Sequence, residues 1–212
     1  MNVGLTRPQT VALAVLTVLL VAVNIAQPFP TVAPLHHMPT VALIISAPWW
    51  LKRWPLSNVA LICLLCFFAL HSIGARWTYT NVPYDVWLRA LIGTDTTVLF
   101  GWTRNHYDRL VHFAFGALML LPVMEWMRPA LPLKPRGLVV AAMVVLLAVS
   151  AGYELFEWLL NFTVPDQIAA DYNGQQGDQW DAQKDMALAL LGSCAAAMWL
   201  MLCRYNRALV TP

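Results

Sequence analysis

Five long apolar runs, at about 9–26, 57–77, 108–128, 137–161 and 182–203, constrain this chain more than anything else in it. At about 1.5 Å per residue, each can cross most of the ~30 Å hydrocarbon core of a bilayer as a helix. A lone strand would leave its backbone polar groups unsatisfied in lipid, so the runs read as helices. A sixth segment, about 34–51, is apolar over a shorter length because PLHHMP and Pro48 interrupt it. The expected fold is therefore all-α, a six-transmembrane-helix bundle forming one integral-membrane domain over 1–212. With 59% hydrophobic and only 11% charged residues, the chain has too little polar surface for a soluble domain. Its basic residues are too few and scattered for nucleic acid.

Charge sets the expected orientation. With the N-terminus in the cytoplasm and six crossings, Arg7, Lys52, Arg53, Arg128, Lys134, Arg136, Arg204 and Arg207 fall inside. Arg76, Arg89, Arg104, Arg109 and Lys184 fall outside. That bias follows the positive-inside rule and puts both termini in the cytoplasm. NIAQPFP after the first run offers no good cleavage site, so that helix is expected to be retained. Cys63, Cys66, Cys194 and Cys203 lie in apolar surroundings without polar companions, which suits packing better than metal binding. Tryptophans near the predicted helix ends, among them Trp49, Trp54, Trp77 and Trp126, read as an aromatic belt.

The other ionisable groups are distributed less evenly than topology requires. Of the eleven acids only Glu125 falls on the inner side, and all five histidines fall on the outer side. Acids contribute little to insertion orientation, so this bias needs another cause. Two long outer loops account for Asp85, Asp95, Asp166 and Asp171, with 83–92 expected as an interfacial helix. They do not account for the rest. Asp108 and His112 are four apart, and Glu154 and Glu157 three apart, so each pair shares a helix face. His71 sits at a similar depth, and Asp178, Asp181 and Asp185 form a stripe entering the last helix. Asp178 also fits an N-cap of that helix, His36 and His37 a loop, and His106 the interface beside Tyr107.

Buried carboxylates need compensation, from protonation, from Arg104, Arg109 and Lys184, or from a cation. Mixed carboxylate and imidazole donors suit a divalent metal ion, Zn, Mn or Fe, and make a thiolate site unnecessary. The expected metal ligands are Asp108, His112, Glu154, Glu157, Asp181 and Asp185, with His71 as a further ligand and Glu157 as general base. The plainer alternative is a polar network that only joins helices.

These residues also carry a resemblance. HSIGARWTYTNVPYDVWL, NHYDRLVHFAFG, YELFEW and QGDQWDAQKDMALALLG, in this order, resemble the YjdF-like bacterial inner-membrane proteins, a family of unassigned function. The resemblance implies a six-helix inner-membrane protein with Asp108, His112, Glu154, Glu157, Asp178, Asp181 and Asp185 as its signature polar positions. A looser likeness links DRLVHFAFGALML, YELFEW and DAQKDMALALLGS to the VanZ-like membrane proteins, which are associated with the cell envelope. Gly177-x-x-x-Asp181-x-x-x-Asp185 matches the second half of the CDP-alcohol phosphotransferase motif, but the first half is missing. The expected function is a metal-dependent hydrolase acting on a lipid or lipid-linked substrate among the membrane lipids of the outer leaflet. The alternatives are a proton- or ion-coupled transporter and a non-catalytic lipid- or partner-binding envelope factor.

Overall fold

The computed structural model describes residues 5–203, and all regular structure among them is helical. In chain order the helices are α1 (Arg7–Asn24), α2 (Ala33–Arg53), α3 (Asn58–Arg76), α4 (Tyr84–Ile92), α5 (Thr96–Phe100), α6 (Tyr107–Met127), α7 (Pro135–Leu160), α8 (Asp166–Asn173) and α9 (Asp181–Leu202). Among the described residues, five helices (α1, α3, α6, α7 and α9) are long and apolar enough to cross a membrane. Arg204, Arg207 and the C-terminus lie outside the described residues.

α2 departs most from the sequence expectation. PLHHMP does not interrupt it: the helix runs for 21 residues with Pro39 and Pro48 inside. Pro34 falls in the first turn, where a missing N–H leaves no helical bond unmade. His36 and His37, expected in a loop, are therefore buried on α2, at 1% and 3% exposure. The prolines and polar residues still leave α2 outside the set of helices apolar enough to span, so length and apolarity carry five crossings rather than six.

α6 is the central helix, packed against α3, α7 and α9, while α1 and α2 pack on α3. Its contact with α9 is made through glycine. A Cβ at Gly116 would overlap the Ala189 carbonyl, and one at Gly192 would overlap the Phe113 carbonyl. Small residues let two backbones approach where lipid supplies no hydrophobic drive between helices. Large apolar side chains such as Val11, Val15, Val18, Val140 and Val144 point outward, as a bilayer solvent requires.

The helix ends are tied by polar groups. At one end of the bundle, the Glu125 carboxylate accepts from the Ser57 N–H (2.7 Å) and hydroxyl (2.6 Å), joining α6 to the start of α3. At the other, the Arg76 guanidinium donates to the carbonyls of Val23, Ile25 (2.8 Å) and Ala26 (3.3 Å), closing the end of α1. Beside Arg76 the chain makes an unusual turn. Thr78 and Tyr79 both take positive φ, +47° and +57°, a region that side chains with a Cβ seldom occupy. Between that turn and α6 lie α4, a helix where one is expected over 83–92, and α5, together exposing Val86, Leu91, Ile92, Val98 and Phe100.

Candidate functional site

The polar positions arrive at one end of the bundle from α6, α7 and α9. α6 presents two faces there. Arg109 points at α9, while Asp108 and His112, one turn apart, point at α7 and into a cavity.

Arg109 is the hub of the α9 side. Its Nη1 donates to the Asp181 carbonyl at 3.0 Å and ion-pairs with Asp185; its Nη2 pairs with Asp181 and with Asp178 at 3.3 Å. Arg104 adds contacts of 3.2 Å to Asp178 and to Asp181, and the Lys184 ammonium lies 2.6 Å from Asp178. That hydrogen bond, with the Trp180 N–H as a second donor, holds the Asp178 carboxyl below the usual carboxylate range. Asp178 is not the N-cap of α9. The helix starts at Asp181, and Asp178 stands before it in the turn, accepting from the Trp180 N–H at 3.1 Å.

Three cations thus answer three acids, Asp178, Asp181 and Asp185. Among the described residues, no lysine or arginine lies within ion-pair distance of Asp108, Glu154 or Glu157. For Asp108 and Glu154 the nearest cationic candidate is His112, whose Nε2 stands 3.5 Å from Asp108 Oδ1 and 3.8 Å from Glu154 Oε1. These separations exceed a hydrogen bond. They are close to the ~3.4 Å edge of a tetrahedron built with bonds of ~2.1 Å, the spacing of donors that share an ion.

One donor atom each from Asp108, His112 and Asp185 lie within 4.8 Å of one another. Asp185 joins the two systems: one carboxylate oxygen faces Arg109, and the other is buried without a hydrogen-bond partner. Glu154 Oε1 is a second such orphan. Buried carboxylate oxygens are normally satisfied, so these two orphans are acceptors with capacity to spare, the Glu154 one 3.8 Å from the His112 ring.

Residues 8–206 match the family of predicted membrane proteins termed DUF2238. The chain belongs to this family. The chain is also similar to the inner membrane protein YjdF of Escherichia coli (strain K12), 33% identical over 150 residues, which covers 70% of this chain and 68% of that protein. No solved structure matches. The DUF2238 match takes in every residue of the polar cluster.

Not every expected ligand joins the tight set. Asp108, His112 and Asp185 form it, with Glu154 at its edge. Asp181 offers its Oδ1 to Arg104 and Arg109. Glu157 is half-buried one turn from Glu154, within electrostatic range of Asp108 and Glu154. His71 is held elsewhere: one ring nitrogen bonds the Tyr79 hydroxyl, and the other the His36 carbonyl at 2.9 Å. His106 lies against Trp102, the rings tilted by 45° with centroids 4.4 Å apart.

Sequence reasoning missed the tyrosines. Tyr79 and Tyr153 line a cavity of about 320 Å³ that also takes in Asp108 and His112 and is otherwise walled mainly by Phe67, Phe68, Phe115 and Met119. Tyr153 further bonds Tyr172 of α8 at 3.2 Å, and Tyr172 stacks on His36 with centroids 4.0 Å apart. The only signal in the sequence was adjacency, Tyr153 beside Glu154 and Tyr79 after GAR-Trp-Thr.

Proposed function

We propose that this chain is a metal-dependent hydrolase of the bacterial inner membrane, acting at the periplasmic face on a lipid or lipid-linked envelope substrate. The observation that carries this reading is the convergence of Asp108, His112 and Asp185 within 4.8 Å, with Asp108 and His112 also lining an aromatic, apolar cavity. Polar donors at one end of an apolar pocket are what an amphipathic substrate requires. α2 serves as the sixth crossing, so both termini are cytoplasmic and the cluster opens outward, following the bias of the basic residues.

Asp108, His112 and Asp185 would hold a divalent Zn, Mn or Fe ion, with Glu154 completing its donors. When bound, the ion would supply Lewis acidity to a phosphoryl or carboxyl ester oxygen. Glu157 would take a proton from water as the water oxygen bonds to the phosphorus or acyl carbon; the bond to the leaving oxygen then breaks, and Glu157 would return the proton to that oxygen. Arg109 orients Asp185 through its other carboxylate oxygen.

Turnover in proteoliposomes made from bacterial polar lipids tests the proposal, with water-soluble head groups, free phosphate and free fatty acid as the products followed. Metal-dependent release is expected from wild type. Glu157→Gln is expected to lower that release by about 10²–10⁴-fold while retaining the metal. Release unaffected by Glu157→Gln removes its role as base. A wild type that releases nothing with its ion bound contradicts the hydrolase reading.

A further inference from the structure

A second cavity continues the line of the first. It holds about 300 Å³, between Pro122 and Trp126 of α6, Trp50 near the end of α2 and Trp54 just beyond it. No charged side chain lines it. Phe68 and Met119 line both cavities, so these two side chains form the partition between them. Along α6, the distance from Asp108, at the polar end, to Trp126, in the far wall, is about 27 Å at ~1.5 Å per residue. That nearly equals the ~30 Å hydrocarbon thickness of a bilayer, and is well beyond the ~15 Å of one leaflet.

We propose that a single long hydrocarbon chain threads this path, its polar head at the Asp108–His112–Asp185 cluster and its tail beyond the Phe68–Met119 partition. The inference rests on the proposed function for the position of the head group, and deepens it by naming the substrate class. Water does not suit the inner cavity, because a bound water needs two to four polar partners, and its walls are apolar or indole. A sugar or nucleotide lacks partners there for the same reason. An unbranched or isoprenoid chain needs none, and its narrow section suits two modest cavities in line better than one wide chamber. Met119 is the adaptable element of the partition, since an unbranched thioether can swing aside where a β-branched side chain could not. The path also selects for length: a tail of about twelve carbons anchored at the cluster fills the outer cavity over the ~16 Å from Asp108 to Met119, and only a longer one gains the inner.

Native mass spectrometry of the detergent-solubilised full chain, incubated with an equimolar mixture of 1-alkylglycerols of eight to twenty carbons, tests the inference. Retention in wild type is expected to rise up to the longest chains. Met119→Trp, whose indole fills the partition, is expected to stop that rise at about twelve carbons, roughly the ~16 Å from Asp108 to Met119. Retention of the longest chains should then fall at least about tenfold, because each excluded methylene forfeits its own transfer free energy. Phe68→Ala opens the partition and should raise long-chain retention, which keeps the test intact if the tryptophan variant does not fold. A flat wild-type profile, or one that neither variant changes, overturns the inference. Repeating the series with chelator separates the two proposals: a persisting profile in a chain that never binds metal removes the hydrolase alone. A flat profile in a metal-loaded chain removes the threading alone.

Discussion

Arg109→Met is expected to destabilise the protein by about 3–5 kcal/mol, the largest single-residue loss in the bundle, read as a lower unfolding temperature in detergent. The guanidinium is 10% exposed and answers three carboxylates and a backbone carbonyl from the turn before α9 and its first two turns. Removing it leaves Asp181 and Asp185, with side chains 6% and 2% exposed, buried beside one another. Arg104 still reaches Asp181 but makes no ion pair with Asp185. Losing one partner of a buried ion network costs more than the network contributes, because the remaining charges keep their desolvation penalty. Arg109→Lys should fall between the two, since a point charge cannot divide its donors among Asp178, Asp181 and Asp185 as a planar fork can. An Arg109→Met protein that unfolds at the wild-type temperature would show that the network is not what holds α9 to α6.

The second large effect is expected at the glycines beneath the cluster. Gly116→Ala and Gly192→Ala should each cost about 3 kcal/mol, at the upper end of core overpacking, because the added methyl meets a backbone carbonyl that cannot turn away. Gly116 lies one helical turn from His112, and Gly192 two turns from Asp185. The α6–α9 spacing they allow is therefore the spacing between the donors. Each variant should lose metal occupancy along with stability, measured by unfolding and metal content on the same preparation. A glycine variant that unfolds early but binds metal like wild type would mean that the donors are positioned by some contact other than this one.

The parts of this architecture that were legible in the sequence are those with a one-dimensional signature. Long apolar runs mark α1, α3, α6, α7 and α9 because hydrocarbon admits little else. Spacings of three and four put Asp108 with His112, and Glu154 with Glu157, on common faces. The misreadings have local causes. Proline near His36 and His37 looked like a loop, but Pro34 fits the first turn of α2 and the helix carries Pro39 and Pro48 inside it. Asp178 looked like a cap, but the turn through Gly177, at φ +80°, delays α9 to Asp181 and frees Asp178 to meet Lys184 and two arginines. The division of acids into a set answered by Arg104, Arg109 and Lys184 and a set left to His112 depends on which helix faces which. No spacing rule carries that. Nor does spacing reveal that both His71 nitrogens are taken by Tyr79 and the His36 carbonyl, from two other segments.

That division of charge is what turns a polar end of a membrane bundle into a candidate reaction centre. The α9 side is balanced and fixes geometry; the side toward α7 is short of positive charge, and there Asp108 and His112 line the cavity. Asp185 belongs to both, so the arginine network positions a donor that another cation would share.

Metal content of the chain purified without chelator, measured by inductively coupled plasma mass spectrometry, tests this most directly. About one divalent ion per wild-type chain is expected. The double variant Asp108→Asn, Asp185→Asn should carry nearly none while remaining folded. A folded wild-type chain that holds no ion, and takes up none when offered Zn, Mn or Fe, would contradict the account.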